Sequence, residues 1–285
     1  MRHPLLLSVC LGGTLLLAAC DQDKQTAEEV ARSMKDVNVI DESNLNDIML
    51  TVADPNEAVI YFKRAVADNP NRIDLKRGLA KSQVRAKEAT ASLPNWEAVV
   101  ASDQATNTDR LDYASALIRA GKWDKAETVL DTIPPTVESF ERYRLEAMVA
   151  DSEKNWKKAD SFYSTAVDLT TKPAGILNNW GYSKLSRGDY KGAEKLFAEA
   201  VAYDPKLFTA KNNLVLARGA QRNYEIPIVP MNQSERAMLL HTMALTAIKQ
   251  NDVATGKGLL KESIETHPQH FEAAVRSLNA LEEGV

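Results

Sequence analysis

Three stretches of the chain are near copies of one another: "GKWDKAE" (Gly121 to Glu127), "KNWKKAD" (Lys154 to Asp160) and "GDYKGAE" (Gly188 to Glu194). Each sets an aromatic residue three positions before an alanine, in a charged surround. Ala126 and Ala159 lie 33 residues apart, and Ala159 and Ala193 lie 34 apart. A fixed period of about 20 to 50 residues marks a repeat architecture, in which each unit buries its apolar face against its neighbours. This period constrains the fold more than length does. The 285 residues exceed one average compact domain, but a stack of repeats has no such ceiling. Gly and Pro are few, 12 and 11 in the whole chain, which favours helix.

A period near 34 points to paired helices of the tetratricopeptide type, so the expected fold is all-α, a right-handed α-solenoid of helix hairpins. The clearest repeat runs from Ala174 to Leu207. It carries Leu177, Trp180 and Gly181 on a first helix and Tyr190, Ala193, Phe197 and Ala200 on a second, and it closes at Pro205. This resembles the tetratricopeptide consensus, down to Asn179 before the Trp-Gly pair. Gly181 and Ala193 are small so that the helices approach closely, with Phe197 and Trp180 filling the space beside them. Gly188 stands where a turn needs positive φ. Pro205 stops the second helix.

The register extends both ways. Repeats are expected near residues 39–72, 73–106, 107–139, 140–173, 174–207, 208–236 and 237–270, with a capping helix over 271–285. In "DPNEAVIYFKRAVADNP" Asp54 caps a second helix, Pro55 suits its first turn, and Ala58, Phe62 and Ala65 form its buried stripe. Its partner spans roughly Val39 to Val52. Between Ile73 and Asn107 the pattern degrades to one long helix ending near Ala89 and another near Trp96. After "FTAKNNLVLARGAQ" the expected second helix is replaced by a proline-containing strap over 222–234, because Pro227 and Pro230 do not suit a helix interior. Ser234 then caps a new helix.

The first residues, "MRHPLLLSVCLGGTLLLAAC", read as a secretory signal over 1–19: Arg2, an apolar run from Leu5 to Leu17, then small residues. The run is short for a membrane span. Leu17-Ala18-Ala19-Cys20 matches the bacterial lipobox, so Cys20 is the expected lipidation site and residues 20–38 a lipid-anchored tether. Cys10 is a poorer candidate, since Val9 before it is bulky. With Cys10 removed and Cys20 lipidated, no thiol remains for a disulfide or a metal. Acyl chains at about 0.8 kcal/mol per buried CH₂ would hold the protein on a bilayer.

Chemistry-bearing motifs are scarce. His267 and His270 flank Pro268, across a helix break, without a third ligand beside them. "TGKGLLKES" lacks phosphate-loop spacing. No nucleophile elbow stands in the sequence, and a net charge of −4 without a basic patch argues against nucleic acid. The expectation is therefore no catalytic residues, no metal, no cofactor beyond lipid on Cys20 and no small-molecule substrate. Binding is left. Stacked helix pairs present a concave face of first helices, and the candidate partner-binding residues there are Arg144, Asn178, Tyr182, Asn212 and His241. Asn179 and Asn213 are expected to satisfy backbone groups between repeats.

A lipobox, a polar tether, these repeats, the strap and the segment "ERAMLLHTMALTAIKQNDVATGKGLL…HPQHFEAA" together resemble the TadD family, lipoproteins of the Tad machinery that assembles Flp pili. The resemblance implies an assembly factor lipid-anchored in the envelope and facing the periplasm. Its role would be pilotin-like, helping secretin or other pilus-assembly partners to localise and assemble. The outer membrane is the expected location, although Asp21 after the lipidated cysteine is an inner-membrane retention signal in some bacteria. The rival readings are a lipoprotein scaffold for outer-membrane protein insertion or for cell-wall enzymes, and a cell-wall enzyme with a repeat body.

Overall fold

A computed structural model describes residues 45–283. The signal, the tether, Cys10, Cys20, Asp21 and the first part of the Val39–Val52 helix lie outside the described residues. Those described form helices only: α1 (45–51), α2 (Pro55–Asp68), α3 (Ile73–Arg85), α4 (Ala89–Val100), α5 (Asn107–Arg119), α6 (Trp123–Asp131), α7 (Phe140–Ser152), α8 (Trp156–Asp168), α9 (Ala174–Ser186), α10 (Tyr190–Tyr203), α11 (Phe208–Ala220), α12 (Gln233–Lys249), α13 (Val253–Thr266) and α14 (Glu272–Glu283). They fall into two compact units that divide after Val99.

One turn recurs throughout. The backbone has positive φ at Lys87, Gly121, Lys154, Gly188, Arg222 and Asn251, between 59° and 85°. In each case the next residue's N–H returns to the carbonyl five positions back: Glu88 to Gln83, Lys122 to Leu117, Asn155 to Ala150, Asp189 to Lys184, Asn223 to Arg218 and Asp252 to Ala247, at 2.8–3.1 Å. This is the Schellman closure, and it satisfies carbonyls that a helix C-terminus leaves orphaned. Only two of these six positions are glycine. The turn at Lys87 therefore has no glycine to announce it, and the single long helix expected from Ile73 to Ala89 is instead α3 ending at Arg85 and α4 beginning at Ala89.

In the first unit, Val59, Phe62, Leu75 and Leu79 make the core, with Met49 and Leu50 of α1 packed against it. Asp54 Oδ1 accepts from the N–H groups of Asn56 and Glu57, so α2 begins where the sequence places it. Arg85 donates to the carbonyls of Met49, Leu50 and Ala53 at 2.7–2.9 Å, serving as the missing cap of α1.

In the second unit, α5/α6, α7/α8, α9/α10 and α12/α13 are antiparallel hairpins. Ala126, Ala159 and Ala193, the repeated alanines, are completely buried. A Cβ on Gly181 would lie 2.6 Å from the ring of Phe197, which is itself fully buried, so glycine is what lets α9 reach α10. Three second helices start from side-chain caps after the shared turn: Asn155 accepts from Lys158 N–H, Asp189 from Gly192 N–H and Asp252 from Thr255 N–H, whereas α6 follows Lys122 without one.

After α11 the same turn forms at Arg222, but residues 223–232 run on without helix. Tyr224, Ile226 and Met231 pack on Val215, Leu239 and Met243, and Val229 packs on Leu214 and Phe197. The strap thus supplies the apolar contacts that a second helix would have made. It ends earlier than the sequence suggests, because the cap of α12 is Asn232 rather than Ser234. Asn232 Oδ1 accepts from Glu235 N–H, and Glu235 Oε2 accepts from Asn232 N–H, a complete capping box. Glu235 also takes the ammonium of Lys211, a side chain only 2% exposed, at 3.0 Å.

Candidate functional site

The first helices of the second unit pack side by side: α5 on α7, α7 on α9, α9 on α11, and α11 on α12. Polar rungs join them. Ser183 Oγ of α9 donates to Asp151 Oδ1 of α7 at 2.7 Å, Asn213 Nδ2 of α11 to Asn178 Oδ1 of α9 at 2.9 Å, and Thr242 Oγ1 of α12 to Asn212 Oδ1 of α11 at 2.8 Å. His241 Nε2 of α12 meets Ser277 Oγ of α14 at 3.1 Å. Three of the five candidate residues, Asn178, Asn212 and His241, are thus engaged in holding neighbouring helices in register. Asn213 bonds a side chain rather than the backbone, and Asn179 Nδ2 points at Met148 Sδ at 3.6 Å. His241 also lies edge-on to Phe271, and burial holds its imidazole below the ordinary value.

Between the rungs lies a cavity of about 480 Å³, within the range of ligand-binding clefts, roughly 300–1,000 Å³. Tyr182, 60% exposed, stands at its edge. Met148, Trp123, Trp156 and Tyr163 supply apolar wall, and Asn178, Asn179 and Asn213 supply amides. A polar pair also lines it, buried Tyr163 and half-buried Asp151: Tyr163 Oη donates to Asp151 Oδ2 at 3.0 Å. Burial, then the neighbouring Asp151, pushes the Tyr163 phenol far above its usual value, so it stays a donor. Burial likewise raises the Asp151 carboxyl, against the lowering pull of the Ser183 and Tyr163 hydroxyls.

The repeated aromatics have a part in this cavity that the sequence does not disclose. Trp123 and Trp156 begin α6 and α8, half-buried, and face the cavity beside the first helices, while Tyr190 in the next repeat is exposed. Trp156 is further held by the guanidinium of Arg187, 5.5 Å from its ring. Trp180, by contrast, is structural. It stacks on Tyr163 at 6.2 Å, and its Nε1 donates to Asp160 at 2.6 Å.

Arg144 lines a second cavity of about 360 Å³ between α5 and α7, with Thr108, Ser115, Ser139 and Glu141. It makes no hydrogen bond or ion pair among the described residues. Its guanidinium is held below the usual value, first by burial and then by the like charge of Arg119, with Glu141 pulling the other way.

Among the described residues no group of three or more His, Cys, Asp or Glu is placed to hold a metal ion. His267 Nδ1 faces the carbonyl of Gln269 and His270 faces Glu272, so the two imidazoles are separately engaged. The site offers apolar contact and amide hydrogen bonding.

No protein-family profile matches the chain. Among solved structures it is similar to a chain of the APC/C hetero-tetramer Cut9–Hcn1, with a TM-score of 0.57 at 15% identity over 80% of this chain and 46% of that one. It is also similar to a tetratricopeptide repeat protein from Parabacteroides merdae, with a TM-score of 0.54 at 15% identity over 90% of this chain and 99% of that one. Of curated proteins, UPF0210 protein MK1214 of Methanopyrus kandleri is 32% identical over 166 residues, 58% of this chain. Tetratricopeptide repeat protein 21B of Mus musculus is 30% identical over 86 residues, 30% of this chain. The matches span 34% and 6% of the lengths of those two relatives. With helices as the regular elements among the described residues and such structural neighbours, the fold is an α-solenoid of tetratricopeptide-repeat type.

Proposed function

We propose that this chain is a lipid-anchored envelope protein whose first-helix face holds an extended segment of a client protein, and that its clients are pilus-assembly components. The observation that carries the binding reading is the cavity at Tyr182. Apolar walls from Met148, Trp123 and Trp156 accommodate a large side chain, and the neighbouring amides suit the backbone of an extended segment. Such pairing of pocket and main-chain contact is a common mode of peptide recognition. The anchoring reading rests on Leu17-Ala18-Ala19-Cys20, and the pilus reading on the resemblance to TadD proteins. Confinement of a client at one membrane raises its effective concentration where it must assemble. On this reading the client is a secretin at the outer membrane, with the inner membrane as the alternative that Asp21 leaves open.

The test is affinity capture from a detergent extract of the native envelope, with the protein as bait. Recovery of a secretin or pilus-assembly proteins supports the assignment. Recovery of barrel-assembly proteins or murein enzymes instead moves the client to those machineries. In parallel, Cys20→Ser should leave folding and binding intact and abolish assembly; a soluble variant that assembles normally would end the anchoring reading.

A further inference from the structure

The cavity at Tyr182 carries an unbalanced charge. Among the described residues that line it, Asp151 alone is charged, and no lysine, arginine or histidine stands there to match it. The carboxylate makes no ion pair among the described residues; one oxygen accepts from Tyr163 and the other from Ser183. Two donors fill about half of the acceptor positions of an ionised carboxylate, so acceptor capacity is left over at the cavity. Arg187, outside the lining, is itself paired with Asp160 at 2.6 Å, and these two act on Asp151 in opposite senses.

Trp123, Trp156 and Tyr182 line the same cavity as this acid. Aromatic faces carry partial negative charge and attract cations, tryptophan most strongly. Trp156 does so within the fold, where the guanidinium of Arg187 lies 5.5 Å from its ring. An apolar side chain closing the cavity would cut Asp151 off from water without a counter-charge, which is unfavourable. A basic side chain supplies that charge, and its methylene stem suits the apolar wall at Met148. Arginine suits the cavity better than lysine, because its planar, weakly hydrated guanidinium stacks on rings while its N–H fork reaches a carboxylate. Building on the groove reading above, we propose that the Tyr182 cavity is a cation-binding subsite for a basic side chain of the extended client segment, arginine before lysine. Asp151 is its counter-ion, and Trp123, Trp156 and Tyr182 are the rings that enclose it.

A phage-displayed library of random linear peptides, selected on the immobilised full chain, tests this. The expected result is one position enriched in arginine, with lysine second. A synthetic peptide carrying that sequence should bind roughly tenfold more tightly, or better, than the same peptide with citrulline, which keeps the shape of the side chain and removes its charge. On Asp151→Asn that ratio should fall to about threefold or less, which ties the charge preference to this carboxylate. Thermal melts establish that the variant is folded, and the citrulline comparison on the unaltered chain decides the charge preference without it. Tyr182→Ala should weaken the peptide and Tyr203→Ala should not. Enrichment of apolar or acidic residues in place of basic ones overturns the subsite and leaves the groove standing. The same holds if citrulline binds as well as arginine, or if the full ratio persists on Asp151→Asn. Absence of any enriched sequence, or binding indifferent to Tyr182→Ala, overturns the groove reading and the subsite with it.

Discussion

Substituting alanine for Gly181 should destabilise the protein, although alanine is the better helix former. An ideal Cβ at this position lies 2.6 and 2.7 Å from two ring carbons of Phe197. Comfortable carbon contacts are about 3.5–4.0 Å, so the ring must retreat by about 1 Å. Phe197 is fully buried against Ala193, Leu214 and Ala217 and has nowhere to go. Overpacking of this kind costs about 1–3 kcal/mol, and the intrinsic preference for alanine over glycine returns about 1 kcal/mol. A net loss of up to about 2 kcal/mol follows. Gly258, inside α13, has nothing within 4 Å of its would-be Cβ, and there the same substitution should stabilise by about 0.5–1 kcal/mol. Chemical denaturation followed by circular dichroism on both variants reads the two signs directly. If Gly181→Ala stabilises as much as Gly258→Ala, the close approach of α9 to α10 is not what demands glycine.

Lys154→Gly should raise stability by about 1 kcal/mol, since lysine holds a left-handed φ of 59° there; thermal melting checks it. Asp160→Asn should cost about 1.5–3 kcal/mol at neutral pH, because it removes a charged acceptor bound by Trp180 and Arg187. Burial works to raise the Asp160 carboxyl, but Trp180, Arg187 and Lys184 together hold it below the usual value. Its stabilisation is therefore present above the ordinary aspartate pKa and lost as pH falls through the lowered one, and the gap between wild type and variant should close in acid. In the strap, Ile228→Ser should change stability by less than about 0.5 kcal/mol, since Ile228 is fully exposed. Val229→Ser, facing Leu214 and Phe197, should cost about 1–2 kcal/mol.

Side chains that serve packing are legible in the sequence, and features held by distant or backbone partners are not. Ala126, Ala159, Ala193 and Gly181 disclose the hairpins because only small residues fit there. The turns at Lys87, Lys154, Arg222 and Asn251 are hidden because residues other than glycine adopt the left-handed conformation. The strap is readable from Pro227 and Pro230. Its end is not, because Asn232 and Glu235, three apart, outcompete Ser234 as a cap. At the site, Tyr182 and Arg144 stand open to the cavities. Asn178, Asn212 and His241 look free in sequence because their partners lie 30 to 36 residues away. Trp123 and Trp156 share the repeating aromatic position that suggests packing alone, so their place in the cavity needs the three-dimensional arrangement of α6 and α8 beside α7 and α9.

The most direct test of client capture on the first-helix face uses two tyrosines of one repeat. Tyr182 on the first helix is 60% exposed at the cavity, and Tyr203 on the second helix is 57% exposed away from it. A photocrosslinking phenylalanine analogue placed at each position in living cells samples equally accessible surface. The expected result is a discrete client adduct from position 182 and none from position 203. Matching adduct patterns at the two positions, or no adduct at 182, would contradict capture on this face.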